Sequence, residues 1–444
     1  MINNHTHSTL LDLLNFATSR KIEVFVVGGT LRDHLLNKNF SDIDLTAKNG
    51  ADLGIQFAQS LNCTYVQLDK TPGRATTRII LPNNKHFDLT ELQGTKIEED
   101  LKKRDFTINA MGQELSDFLS DQKRIIDPLF GKNDLQNSLI KITSPTVFQA
   151  DPLRMLRAFR FAARMNFSID QETLTEISKN NKNIATVSGE RIWQELIAFL
   201  ETENTGNPLT WMQKSGLLNF LLPISSPSNW EELLASYNRL EHILSNPRLY
   251  FPEQPIEFKS KEKALIKFSL LSRKAETNLD IGNRKDKDFG TPKSFEILKT
   301  LKASNADIGF ICKSIQCSNN FSKSLSSNLN DSFLYDLCLV GGSELVAGVI
   351  LKLSTLSYFE NSKCMDNKIF EFFSNLLKFY FERYCPIIKE KPLLDGEEII
   401  RKFNISPSPI IGNVLDLIRR AQVLREIKTK MEAELLAEKL LELK

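Results

Sequence analysis

Over the first ~140 residues, short apolar runs alternate with polar segments at the spacing of strands and short helices. Glu23-Val-Phe-Val-Val27 reads as a strand buried on both faces, and Gly28-Gly29 leads from it into a helix, Leu31-Arg-Asp-His-Leu-Leu36. Phe40–Leu45 is expected to be extended, and Cys63–Leu68 reads as a further strand. Thr76–Leu81 and His86–Leu89 pair as a hairpin across Pro82-Asn-Asn-Lys85, and Arg124–Asp127 makes a last short strand closed by Pro128 and Gly131. After about Ser144 the apolar period becomes helical. Thr146–Asn166, Asp170–Asn180, Ser188–Leu200 and Pro208–Phe220 all follow it, and the pattern continues to about Tyr384 with breaks at Pro223–Ser228 and Gly282–Thr291. Beyond Pro392-Leu-Leu-Asp-Gly396 come a short helix, Glu397–Phe403, and, after Pro407–Gly412, one long helix, Asn413–Leu443. No period of 20–50 residues repeats. The pattern is that of an α/β head followed by a long helical body.

Composition narrows the class. A chain of 444 residues has room for two to four domains, and 41% apolar with 25% charged residues is ordinary for a globular protein. No apolar run approaches the ~20 residues that span a bilayer, and the N-terminus lacks the basic and apolar regions of a signal peptide, so a cytoplasmic protein is expected. The formal charge of +2 neither demands nor excludes nucleic acid. Six cysteines, without a Cys-x-x-Cys pair or a nearby histidine at zinc spacing, read as reduced, buried thiols. With five histidines and no His-Asp dipeptide, a histidine/aspartate metal-hydrolase domain is not expected.

The chemistry gathers in the head. In Ser41-Asp-Ile-Asp-Leu45, residues at i and i+2 of a strand share a face, so Asp42 and Asp44 project together while Ile43 points into the core. Two carboxylates so close repel unless a cation lies between them. Strand, Gly28-Gly29 and helix N-terminus form a cradle of unpaired N–H groups suited to an anion. A Gly-Gly after a strand also makes ordinary tight turns, and an isolated Asp-x-Asp also caps loops. It is their appearance together, in strand–turn–helix–strand order, that points to metal-dependent phosphoryl or nucleotidyl transfer.

Six motifs in order carry a resemblance: Val27-Gly-Gly-Thr-Leu-Arg-Asp33, Ser41-Asp-Ile-Asp44, Glu99-Asp-Leu-Lys-Lys-Arg-Asp-Phe-Thr-Ile-Asn-Ala110, Asp127-Pro-Leu-Phe-Gly131, Asp151-Pro-Leu-Arg-Met-Leu-Arg-Ala158 and Ser188-Gly-Glu-Arg191. Across roughly residues 20–220 the chain resembles the head and neck of the class II tRNA nucleotidyltransferase and bacterial poly(A) polymerase family, and Leu393–Gly412 is similar to a C-terminal module of bacterial members. The resemblance implies an α+β fold: a nucleotidyltransferase-type mixed-sheet head (1–144), then an elongated, all-helical neck (145–205), body (206–385) and tail (386–444). It implies that Asp42 and Asp44 bind two Mg²⁺ ions, with Asp88 as candidate third acid or else an exposed strand-end aspartate. Gly28, Gly29 and Arg32 would line the triphosphate. Arg104 resembles the family's phosphate- and sugar-contacting arginine, with Asn109 just over a turn beyond. Asp151 and Arg154 correspond to the base-selecting pair. With both on one helix, i and i+3 share a face. A carboxylate accepting from an exocyclic amine and a guanidinium donating to a ring nitrogen admit C and A and reject U and G. Arg157, Arg160 and Arg164 continue that helix, as phosphate contacts or as a solvated basic face; Glu190 and Arg191 would brace it.

Two positions depart from the family. Ala150 stands where a glutamate normally precedes the base-selecting aspartate, and only 15 residues separate Asp88 from Arg104, where full CCA-adding relatives carry a longer segment. The expected activity is template-free addition of C and/or A to the 3′ end of tRNA from CTP and/or ATP, either as complete CCA synthesis or as CC- or A-addition alone. A poly(A) polymerase and a catalytically silent RNA-binding relative are the alternatives. Neither a membrane nor a protein partner is indicated.

Overall fold

The computed structural model describes residues 4–40, 42–82, 85–222, 230–274, 292–324, 330–356 and 367–442. The breaks read at Pro223–Ser228 and Gly282–Thr291 lie outside them, as do Ser41, Asn83, Asn84 and Cys364. The chain divides into two compact units, Met1–Leu221 and Leu222–Lys444.

The first unit is built on a six-stranded mixed sheet: β1 (Val24–Val27), β2 (Asp42–Ala47), β3 (Thr64–Asp69), β4 (Thr76–Ile80), β5 (His86–Glu91) and β6 (Gly112–Glu114), in spatial order β3-β4-β5-β2-β1-β6. The four residues of β1 are all buried, as a continuous apolar run demands of a central strand. β2 and β5 are parallel, with Asp42 beside His86 and Asp44 beside Asp88. The other pairings in this sheet are antiparallel, including the expected β4–β5 hairpin. Arg124–Asp127 is not a strand; its only ladder contact is an isolated bridge between Ile126 and Gly112. Pro128, two residues on, has no N–H to extend the pairing.

Helices complete this unit, and two differ from the sequence reading. The segment 146–166 is broken: Val147–Ala150 forms one turn, Asp151 is extended, and the main helix starts at Arg154 and ends at Asn166 in the left-handed region. Pro152 is the cause, since the residue before a proline is driven out of the helical region. Pro208–Phe220 likewise splits into Gly206–Lys214 and Leu217–Leu221 around Gly216, whose φ is +76°. Asp170 caps Gln171–Asn180 through its carboxylate, and Gly189–Leu200 follows Ser188.

In the second unit every described element is helical. Asp331–Ser354 is, against the expectation from sequence, long and apolar enough by composition to cross a membrane. It is a pair of helices, Asp331–Gly341 and Leu345–Ser354, joined by a tight turn at Gly342–Glu344, and most of it is buried in the unit's own core. The single helix expected at Asn413–Leu443 is two, Pro409–Val423 and Lys430–Glu442, separated where Arg425 adopts φ +63°. With the Gly396–Phe403 helix, capped by a reciprocal Asp395–Glu398 box, they enclose a small core of Leu394, Ile399, Val414, Ile418, Ala433 and Ala437. Cys312, Cys317 and Cys338 are buried and Cys63 and Cys385 half-buried, none of the five in a disulfide.

Candidate active site

The helix Gly28–Leu35 begins directly at the end of β1, with Gly28 at φ +63° as its first residue and no side chain capping its N-terminus. One of its free amides is used at once: Gly29 N–H donates to Asp44 Oδ2 at 3.0 Å. A side chain at either glycine would be tight. A Cβ on Gly28 would lie 3.1 Å from both Arg104 Nη1 and Asp44 Oδ2, and one on Gly29 would lie 3.2 Å from Asp44 Oδ2. Gly28 thus lies close against both Arg104 and Asp44, and Gly29 against Asp44, in a layer where an added Cβ would force these side chains to give by a few tenths of an ångström. Thr30, which the sequence reading passed over, stitches the layer together. Its hydroxyl donates to the Asp42 carbonyl at 3.2 Å and accepts from Asp44 N–H at 2.7 Å.

Asp42 is exposed and Asp44 half-buried on the same face of β2. Burial pushes the Asp44 carboxyl above its ordinary value; Arg104 opposes that shift and Asp88 adds to it by repulsion. A carboxylate held in that condition calls for a cation. Asp88 is less available, because Arg78 on β4 donates to both of its oxygens, Nε to Oδ1 at 2.8 Å and Nη2 to Oδ2 at 2.7 Å. Among the described residues no group of three His, Cys, Asp or Glu side chains is arranged to hold a metal ion. Two carboxylates nevertheless fit Mg²⁺, which is commonly bound by one or two carboxylates together with substrate phosphates.

A second cluster lies behind the glycines. Arg32 is only 4% exposed; its guanidinium holds Asp33 Oδ1 at 2.8 Å and donates to Asn109 Oδ1 at 2.7 Å. Asn109 Nδ2 donates to Asp105 Oδ1 at 3.1 Å, and Asp105 Oδ2 accepts from Arg157 Nε and Nη2 at 2.9 and 2.7 Å. Asp105 is buried, yet its carboxyl is held low, at about 2: burial opposes the shift, and Arg157, Asn109 and Arg154 outweigh it. Asp105 has no role assigned from sequence, where its one signal is its place at the end of the charged run Glu98–Asp105, just before the apolar Phe106. Arg104 itself is held by Asp100 Oδ2, at 3.0 Å from Nε and 2.9 Å from Nη2.

The third cluster holds the expected base-reading pair, in a different setting. Asp151 stands before the helix rather than on it. Its Oδ1 accepts from Leu153 N–H at 3.2 Å and its carbonyl from Arg154 N–H at 3.1 Å, which ties it into the turn that leads into the helix. Its Oδ2 accepts from Arg191 Nη2 at 2.9 Å, whereas Glu190 is exposed. Arg154, the first helical residue, is half-buried. Burial lowers its pKa, while Asp105 and Asp151 work against that. Arg157 and Arg160 are engaged inside the fold, with Asp105 and Glu195 respectively, and both lie over the Phe161 ring; Arg164 is exposed.

Comparison with known proteins agrees with this architecture. Residues 24–141 match the poly A polymerase head domain, and residues 166–244 match the probable RNA and SrmB-binding site of polymerase A. The chain is 26% identical over 418 residues to a CC-adding tRNA nucleotidyltransferase of Synechocystis sp., spanning 94% of this chain and 93% of that protein. A CC-adding tRNA nucleotidyltransferase of Geobacter sulfurreducens is 40% identical over 177 residues, 39% of this chain and 40% of that one. The Thermotoga maritima CCA-adding enzyme, solved in complex with tRNA, shares the fold with a TM-score of 0.68 over 99% of this chain and 96% of that one, at 24% identity. Over residues 24–141 and 166–244 the chain is thus similar in sequence to the head and RNA-binding regions of polymerase A, and over nearly its whole length it shares the fold of a CCA-adding enzyme.

Proposed function

We propose that this protein adds C and/or A nucleotides to the 3′ end of tRNA from CTP and/or ATP, releasing pyrophosphate and using no nucleic-acid template. The observation that carries the reading is the Gly28-Gly29 layer closed over Asp44, beside Asp42 and Arg104. An RNA 3′-oxygen attacks the α-phosphorus of the incoming nucleotide, and the bond to the β-phosphate oxygen breaks. Nucleotidyltransferases of this family generally use divalent metals. Two Mg²⁺ ions held by Asp42 and Asp44 would supply an acidified 3′-hydroxyl and charge compensation for pyrophosphate. The amides at the helix N-terminus and Arg104 face the triphosphate. Arg32 and Asn109 support that surface from behind, and Arg157 and Arg160 support the base-reading helix through Asp105 and Glu195.

Asp151 and Arg154 read the base. The carboxylate retains lone pairs beyond its bonds to Leu153 and Arg191, and Arg154 contributes free N–H groups at the helix start. Cytosine and adenine satisfy both, whereas uracil and guanine set a carbonyl and an N–H against like groups, leaving buried polar atoms unpaired. In this reading residues 1–144 form the catalytic head, 145–205 the base-selecting neck, 206–385 a body and 386–444 a tail that grip folded tRNA by shape and backbone.

Arrest after two cytidines is favoured by the segment after β5. Gln93 N–H donates to Asp100 Oδ1 and Thr95 N–H to Glu99 Oε2, so residues 92–96 form a tied turn directly before the helix Ile97–Lys102. Little slack remains for a rearrangement that would re-aim Asp151 and Arg154 from C to A. Purified protein is given tRNAs ending before CCA, after C and after CC, together with an unstructured RNA, with CTP or ATP separately. Two cytidines and then arrest support the CC-adding reading. Extension of the CC-ended tRNA with ATP alone marks an A-adding enzyme, and long A tails on unstructured RNA overturn the tRNA reading.

A further inference from the structure

Phe130 combines two properties that rarely meet in one residue. It is the most exposed large hydrophobic side chain among the described residues, at 75%. It also adopts φ +58°, ψ +32°, in the left-handed region. Of the twelve described non-glycine residues with positive φ, six are asparagine, and Phe130 alone carries an apolar side chain. That conformation disfavours a bulky residue, and nothing in packing repays it here, because the ring points into solvent. A backbone outlier of this kind is better explained by what the side chain does than by what it stabilises.

The topology puts Phe130 at the active end of the sheet. β1 runs toward Gly28; β6 is antiparallel to it, with Val27 opposite Gly112. Ile126 bridges Gly112 in antiparallel sense, so the chain from Ile126 onward heads past the end where Gly28 and Gly29 lie. The turn that presents Phe130 is rigid. Asp127 Oδ1 and Oδ2 accept from Gly131 and Lys132 N–H at 2.7 and 2.9 Å. A Cβ on Gly131 would lie 2.0 Å from the Thr107 carbonyl oxygen, which locks the turn onto the segment carrying Asn109. The charges left exposed nearby in sequence are mainly basic: Lys123, Arg124 and Lys132 against Asp121, since Asp127 serves the turn and Asp134 is buried against Thr107.

We propose that Phe130 is a stacking platform for an unpaired nucleobase of the RNA substrate near its 3′ end, with Lys123, Arg124 and Lys132 meeting the adjoining phosphates. A rigid, solvent-facing ring beside cations is the surface on which single-stranded bases stack. The platform rests on the reading of this chain as an RNA-extending enzyme, and adds to it a contact on the head for the strand being extended.

Phe130→Asn removes the ring and installs the residue this chain most often uses at such φ values, so the turn is kept; Phe130→Trp keeps a ring. Binding of a fluorescent tRNA acceptor-stem hairpin with an unpaired 3′ end is measured by anisotropy, beside melting temperature and nucleotide KM. Loss of one stacked base weakens binding roughly tenfold. The expected result is that loss for Phe130→Asn, near-normal binding for Phe130→Trp, unchanged nucleotide KM and no fall in melting temperature. Unchanged RNA affinity for Phe130→Asn overturns the platform, as does a fall in melting temperature or a change in oligomeric state in place of the affinity loss. Failure of the wild-type protein to extend any RNA with CTP or ATP overturns the underlying activity instead, and is read separately.

Discussion

Arg78 holds both carboxylate oxygens of Asp88, one strand away from Asp44. Register makes this possible: Arg78 pairs with Asp88 across β4–β5, and Asp88 with Asp44 across β5–β2, so the three side chains form one row on one face. Asp88 thereby contributes its charge to the row without offering an open oxygen pair. Replacing Arg78 by alanine is expected to free a carboxylate beside Asp44, raise the repulsion there and lower nucleotide incorporation roughly tenfold. Lysine restores it only in part, since it cannot form the two-pronged contact. The check is a cycle with Asp88→Asn: effects that simply add would show that the two do not act as a unit.

Gly29→Ala brings a methyl within 3.2 Å of Asp44 Oδ2, and Gly28→Ala additionally strains φ +63°. Both are expected to displace the carboxylate by a few tenths of an ångström and to reduce kcat by about tenfold, short of the hundredfold loss of a full ångström's misplacement. RNA affinity should stay unchanged. Rates within twofold of wild type would argue against the close layer as the reaction site.

Asp105 sets the acid limb of stability. Its carboxyl titrates at about 2 in the folded chain, against an ordinary value of 3.8. A depressed carboxylate stabilises the fold fully above its unfolded value and loses that contribution as pH falls toward 2, here about 2 kcal/mol. Asp105→Asn should flatten denaturant-measured stability between pH 4 and 2, while lowering it at neutral pH because Arg157 loses its partner. An unaltered acid slope would remove Asp105 from this role.

Arg191 fixes one oxygen of Asp151 from a neighbouring helix. Arg191→Ala should leave stability within about 0.5 kcal/mol, as expected for an exposed pair. Its effect should appear in discrimination: the kcat/KM ratio of CTP over UTP falls several-fold, with incorporation of CTP less affected. An equal loss for both nucleotides would point to a general packing role.

How far the sequence discloses this molecule depends on the range of the interaction. Asp42 and Asp44 on one face of β2 follow from a period of two, and the burial of β1 follows from its apolar run. The Arg78–Asp88 contact depends on β4–β5 register and is invisible in either segment alone. The place of Asp151 was misread because helical spacing of its neighbours masked a local rule, the effect of Pro152 on the preceding residue. The interruption of the last helix turns on Arg425 at positive φ, a residue type with no turn signature. Thr30 and Asp105 act through partners 14 and 52 residues away, beyond any window of local pattern.

The run of contacts from Arg32 through Asn109 and Asp105 to Arg157 spans the head from the glycine turn to the Arg154–Met165 helix. Its consequence is mechanical. The glycine turn and the first turns of that helix are tied through one buried carboxylate, so neither can shift without giving up a hydrogen bond at Asp105 or Asn109.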